Sequence, residues 1–155
     1  MFKMQSTSFY LSEITTNNNN SEYQIFKRLM KPHMNNENKE IGYDLIINLN
    51  KEKNILSKDS NGNPLVYLMK MNAKVSIILN GTLVVSRNYE KKFRYSHKSN
   101  IFDLNLYENE LEKNLIKNIS DEIIIAVINI SKSTSISNNN INIKGSSEVG
   151  YGTAS

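Results

Sequence analysis

The chain contains no cysteine, which excludes disulfides, thiolate metal sites and cysteine nucleophiles. The compartment stays open on this ground, because oxidising compartments also hold cysteine-free proteins. Glycine and proline are scarce, with six and two in 155 residues. So few glycines argue against tight loops that cradle a ligand. The only histidines, His33 and His97, sit in separate polar stretches, and neither stands at metal-ligand spacing to another ligating residue. No apolar run approaches the ~18 residues that mark a membrane-spanning helix. The opening MFKMQSTSFY has neither an apolar core nor a small-residue cleavage site, so it does not read as a signal peptide. Either the chain is cytosolic, or a targeting segment lies upstream of it.

What is present is ordinary in amount and biased in kind. Hydrophobic residues make up 39% and charged residues 22%, within the range of soluble globular domains. Asn, Ile, Lys and Ser dominate, a bias that AT-rich codons produce. The length suits one domain with a single core. A formal charge of +4 and a pI near 9.2 favour phosphates, on nucleic acid or on an anionic lipid, without choosing between them.

Periodicity then divides the chain. Residues 2–14 read as a strand, with Phe9 and Leu11 on one face and Tyr10 on the other. Ser21 and Gln24 stand at capping-box spacing, opening a short helix whose apolar stripe is Tyr23, Phe26, Leu29 and Met30. Pro32 ends it, and Asn35 to Glu40 make a loop. A second strand follows Gly42, where Tyr43, Leu45, Ile47 and Leu49 alternate with their neighbours. Lys51 to Asn63 reads as a polar excursion ending in the turn sequence Asn61-Gly62-Asn63-Pro64.

The third strand is the clearest element, since every odd position from Leu65 to Leu79 is apolar. That places one buried face opposite one carrying Lys70, Asn72 and Lys74. Asn80-Gly81 turns the chain into a fourth strand reaching about Ser96. A two-residue loop would oppose odd positions to even ones, so a three-residue loop with Gly81 left-handed is expected, pairing odd with odd. After His97 to Asn100, Asp103 is the expected cap of a long helix. Tyr107, Leu111, Leu115, Ile119, Ile123 and Val127 recur every four residues along it. Residues 123–130 are apolar nearly all round, compatible with a buried helix or a hidden strand, and the unbroken spacing favours helix. The expected architecture is α+β, in the order β-α-β-β-β-α. It comprises a four-stranded sheet with a long hairpin of its last two strands and two helices on one face. Residues 1–130 form this single domain, and 131–155 read as a disordered Ser/Asn-rich tail.

No catalytic constellation appears. There is no G-x-S-x-G, no H-E-x-x-H and no Gly-rich phosphate loop, and Glu108, Glu110, Glu112, Asp121 and Glu122 fit a solvated helix face. The chain is expected to be no enzyme and to use no cofactor or metal. One segment, Lys91-Lys92-Phe93-Arg94-Tyr95-Ser96-His97-Lys98, interleaves cations with aromatics. That pattern suits phosphate contact with base stacking, and equally a strand with an inward aromatic face and wet lysines that discourage edge pairing.

Three segments carry a family resemblance. They are Tyr43-Asp44-Leu45-Ile46-Ile47-Asn48-Leu49, the hairpin arm from Val66 to Val75 preceded by Asn61-Gly62, and Arg87 to Tyr95 leading into Tyr107-Glu108-Asn109-Glu110-Leu111-Glu112-Lys113-Asn114-Leu115-Ile116. In type and spacing, over about residues 5–130, they resemble the lipopolysaccharide-assembly lipoprotein family, LptE. The resemblance implies a non-catalytic domain on the periplasmic side of the outer membrane. It would plug the LptD β-barrel and assist delivery of lipopolysaccharide to the outer leaflet. That family carries an N-terminal lipid-modified cysteine, which this sequence lacks, and its lipopolysaccharide-contacting residues have no matching positions here. Charge and loop position alone nominate Lys58, Lys91, Lys92, Arg94 and Lys98 as lipopolysaccharide contacts. Two other readings stand beside it: an unrelated small α+β binding or structural module, and a nucleic-acid-binding domain, the latter not expected.

Overall fold

The computed structural model describes the backbone of residues 9–34 and 41–154, and side chains within those ranges through residue 133. Its elements are β1 (Phe9–Thr15), α1 (Ser21–Met30), a short 3₁₀ turn (Lys31–His33), β2 (Ile41–Lys58), β3 (Pro64–Leu79), β4 (Thr82–Ser96) and α2 (Ile101–Ala154). The sheet order is β1-β2-β3-β4, with β1 parallel to β2 and the remaining pairs antiparallel. The α+β architecture and the order β-α-β-β-β-α are as the sequence implies. The expected strand residues 2–8 and the loop 35–40 lie outside the described residues.

The core lies between the sheet's odd-numbered face and the two helices. Tyr43, Leu45, Ile47 and Leu49 of β2 and Tyr67, Met69, Met71, Ala73, Val75 and Ile77 of β3 are all buried. Against them pack Tyr23, Phe26 and Met30 of α1, and Leu104, Leu111, Leu115, Ile116, Ile119, Ile123, Ala126 and Val127 of α2. Period two in the strands and a four-residue stripe in the helix thus meet at one interface. Leu65 and Leu29, expected inside, are exposed: Leu65 lies where β3 begins, beyond the helices' cover, and Leu29 at the rim of α1. In β1 an irregularity between Leu11 and Glu13 inserts Ser12, which turns both Leu11 and Ile14 inward.

Both helix starts differ from the capping expectation by a short step. Asn20, one residue before Ser21, caps α1, its side chain accepting from the Tyr23 N–H at 2.9 Å. Its own amide also donates to the Leu49 carbonyl at 2.7 Å, a second bond the shorter Ser21 side chain does not make. Asn100 caps α2 by accepting from the Phe102 N–H at 2.9 Å, which leaves Asp103 inside the first turn facing the helix dipole.

The turn between β3 and β4 resolves the register differently from expectation. Leu79 pairs with Thr82, so the loop is the two residues Asn80 and Gly81, with φ of 52° and 76°. Both lie in the left-handed region that a two-residue hairpin of this hand requires. The face reversal this would cause is undone within two residues. Leu83 pairs with Ile78 but Val85 pairs with Ile77, and the extra residue Val84 forms a bulge. Beyond it odd meets odd as required: Val75 with Arg87, Ala73 with Tyr89 and Tyr67 with Tyr95. A bulge does what a longer loop was expected to do.

The supposed polar excursion is strand through Lys58. Its sequence KEKNILSK lacks an apolar alternation, yet its backbone pairs with β3 down to Pro64, and its odd lysines reach the helices. Lys51 lies 3.1 Å from Glu112 and 3.7 Å from Glu22, and Lys53 lies 2.7 Å from Glu108. Gly42 pairs with Tyr10 across β1 and β2, and a Cβ there would stand 2.6 Å from the Tyr10 ring. The residue must be glycine while that ring covers it. The backbone of α2 continues helical through Ala154, across the segment expected as a tail. Side chains from residue 134 on lie outside the described residues. Ser131, assigned to the tail, is fully buried, and its hydroxyl donates to the Tyr43 hydroxyl at 3.2 Å. The packed domain therefore reaches past residue 130.

Candidate ligand-binding surface

With both helices on one side, the even-numbered side chains of the sheet form an uncovered face. The strand pairing orders them into rows running across β2, β3 and β4. From the β2–β3 hairpin inward these are Asn54–Leu68–Arg94, Glu52–Lys70–Lys92, Asn50–Asn72–Glu90 and Asn48–Lys74–Asn88. Neighbouring strands stand ~4.8 Å apart and alternate residues ~6.8 Å apart along each strand. The face is therefore a lattice of polar groups at ligand-sized spacing.

Two zones differ in charge. Near the hairpin end, Lys70, Lys92 and Arg94 lie in adjacent rows, and Glu52 is 4.0 Å from Lys70. Further in, the rows Asn50–Asn72–Glu90 and Asn48–Lys74–Asn88 line an open groove of about 550 Å³, with Asn18 from the loop before α1 at its edge. Every asparagine in the four strands, Asn48, Asn50, Asn54, Asn72 and Asn88, sits on this face. Asparagine is depleted in strands generally, and codon bias alone does not confine it to one face. Asn48 is tied down by Thr16 and by the Asn17 N–H, at 3.2 and 3.0 Å. Among the described residues, the Asn50, Asn72 and Asn88 side chains make no hydrogen bond within the protein, and all three line the groove.

The five nominated cations do not form one cluster. Lys92 and Arg94 share the open face, two residues apart on β4. Lys91 takes the helix side, half-buried, with its ammonium 2.7 Å from Glu122; it neutralises a helix carboxylate. Lys58 ends β2, and Lys98 lies in the loop before α2 with its ammonium 5.0 Å from the centre of the Tyr107 ring. Sequence adjacency grouped Lys91 with Lys92, whereas alternation separates them. Across the hairpin the register sets Lys70 opposite Lys92, which alternation along one strand does not reveal. Phe93, expected inside, is 48% exposed on the helix side of the edge strand, beyond the reach of α2.

Behind this end of the sheet lies a packed aromatic group. Tyr67 stacks on Tyr95 at 5.2 Å, Tyr95 meets Tyr107 at 5.5 Å, and the Tyr67 hydroxyl bonds the His97 ring at 3.0 Å. The Tyr95 hydroxyl donates to the Glu108 carboxylate. Burial, and then that carboxylate, hold the Tyr95 phenol well above the usual tyrosine range. At the opposite flank, His33 is held below the usual histidine range by burial, partly offset by Asp121. Among the described residues, no group of three or more His, Asp or Glu side chains is placed to hold a metal ion.

The fold and its open face define a class: a four-stranded mixed sheet backed by two helices, with a polar, partly cationic front. No protein-family model matches the chain, and no curated protein matches it. Solved structures share the fold. Rare lipoprotein B from Shewanella oneidensis superposes with a TM-score of 0.52 at 13% identity, over 76% of this chain and 98% of that one. Uncharacterized lipoprotein B from Nitrosomonas europaea gives 0.57 at 12%, over 85% and 92%. A minor lipoprotein from Acinetobacter baumannii gives 0.51 at 12%, over 74% and 89%. At these identities the likeness is one of fold.

Proposed function

We propose that the chain works, like the LptE family it resembles, as a non-catalytic factor on the periplasmic side of the outer membrane. There it would occupy the lumen of the LptD β-barrel and assist delivery of lipopolysaccharide. The observation that carries this reading is the shared fold, which spans nearly the whole of several bacterial lipoproteins. The open face supports it chemically. Lys70, Lys92 and Arg94 suit the phosphates of an anionic glycolipid, and the bordering amides suit its sugar hydroxyls. A polar front also matches the polar interior of an outer-membrane barrel.

The test has two arms. Co-expression with the LptD barrel of the same genome should give a complex that survives purification; a barrel recovered without this chain counts against the plug role. In the second arm, Lys92→Glu with Arg94→Glu should weaken lipopolysaccharide binding and flatten its salt dependence. Lys91→Glu should leave binding intact, because that side chain faces Glu122 on the other side of the sheet. Nucleic acid is titrated in parallel, and binding of nucleic acid alone would overturn the reading.

A further inference from the structure

Exposed apolar side chains concentrate at one end of the molecule. Six of the eleven large hydrophobic side chains exposed among the described residues are Ile55, Leu56, Leu65, Ile101, Phe102 and Leu106. The first three flank the β2–β3 hairpin, and the others open α2. The register brings these segments to the same end. The His97 N–H donates to the Leu65 carbonyl at 2.8 Å, while Glu108, about two turns into α2, meets both Lys53 and Tyr95. Phe102 is 76% exposed and Leu106 63%. Scattered single apolar residues are normal on a surface, but a group at one end marks a contact surface.

Cations rim this group. Lys58 follows Leu56 on β2, and Lys98 precedes Ile101. Among the described residues neither lies within ion-pair distance of a carboxylate. The carboxylates nearby keep their charge but are tied into the fold. Asp59 accepts from the backbone of Asn61 and Asn63 at 2.9 and 2.8 Å, Glu108 takes Lys53, and Asp103 lies in the first turn of α2, where the helix dipole favours it. Large apolar side chains beside long lysines outside any described ion pair match a bilayer interface, where acyl chains take the former and anionic headgroups the latter.

We propose that this end of the domain docks on the surface of an anionic bilayer, with Phe102 and Leu106 entering the acyl boundary and Lys58 and Lys98 meeting headgroup phosphates. The proposal rests on this surface alone and holds whether or not the chain engages a barrel. Charge complementarity selects the occupant: with Arg94 in the row nearest the same hairpin, the cations outnumber Asp59 and Asp103, and a zwitterionic surface offers them much less.

The test is co-sedimentation of the full 155-residue chain with vesicles of phosphatidylglycerol and phosphatidylcholine, against phosphatidylcholine alone. Binding should require the anionic lipid and weaken with salt. Phe102→Ser with Leu106→Ser should lower partitioning roughly tenfold or more without changing the melting temperature, both positions being exposed. Lys58→Glu with Lys98→Glu should also lower it and remove most of the salt dependence. Leu83→Ser, at the other end, should bind as the parent does. Failure of the parent chain to bind anionic vesicles overturns the proposal, as does equal binding by the Phe102/Leu106 variant. So does a concentration-dependent self-association, seen by sedimentation velocity, that this variant abolishes while vesicle binding persists.

Discussion

The Lys51 ammonium lies 3.1 Å from Glu112 Oε2, and the other oxygen of that carboxylate is buried with no hydrogen-bond partner among the described residues. Glu22 on α1 shares the same lysine at 3.7 Å, so one cation from β2 joins both helices where the apolar core ends. Lys51→Met would leave two carboxylates, each under 10% exposed, without a counter-charge. The expected cost is about 1–3 kcal/mol, below that of a fully buried pair because Lys51 itself reaches solvent. Urea denaturation at neutral pH measures it, and adding Glu112→Gln should recover part of the loss.

Burial grades the third strand. Ile77 is 1% exposed and Leu65 47%, although both are odd-numbered and apolar. Ile77→Ala should cost about 2–5 kcal/mol through lost transfer energy and the cavity left, whereas Leu65→Ala should stay within ~0.5 kcal/mol. Equal shifts in thermal unfolding would show that the helices do not cover β3 as described.

The turn and its bulge act together. Gly81→Ala places a Cβ at φ 76° in otherwise open space, so its cost is backbone strain alone, about 1 kcal/mol. Deleting Val84 tests the bulge directly. It removes the unpaired residue alone, so Ile77 still meets Val85 and every later pair of β4 keeps its face. Cooperative melting followed by circular dichroism should persist, and a deletion variant that no longer melts cooperatively would contradict the bulge.

Tyr95 gives a signature at high pH. Its phenol ionises in the unfolded chain near the ordinary value of ~10, while in the folded protein burial and Glu108 keep it protonated further up. Above pH ~10 the folded state therefore binds more protons than the unfolded one, and stability falls as pH rises. Tyr95→Phe lacks this titration, so the stability gap between parent and variant should narrow from pH 9 to pH 11. Denaturant midpoints across that range read it directly; a constant gap would count against the buried phenol.

Much of this was legible in the sequence because one face of each element is apolar. β3 announces itself through its odd positions from Tyr67 to Ile77, and α2 through the stripe from Leu111 to Val127. The outer half of β2 was not legible: its lysines are held by backbone pairing and by glutamates in distant helices, which leave no local period. The same limit governed the candidate site. Alternation separates Lys91 from Lys92 and Arg94, but the neighbours of Lys92 on β3 emerge only once the register is known. That register depends on one extra residue, Val84, whose apolar side chain looks like an ordinary strand position.

The hydrogen bond between Ser131 and Tyr43 joins residues 88 apart, while β3 and β4 are joined by two. Closing the long loop costs more chain entropy than closing the short turn, so the β2–β3–β4 meander is the part that forms from near neighbours and α2 the part that arrives last. Until it does, the row of Leu45, Ile47, Met71 and Val75 has no lid. A chain made from the N-terminus holds that sticky sheet bare for as long as its final third has yet to emerge. During that interval the fold itself does nothing to keep such chains apart.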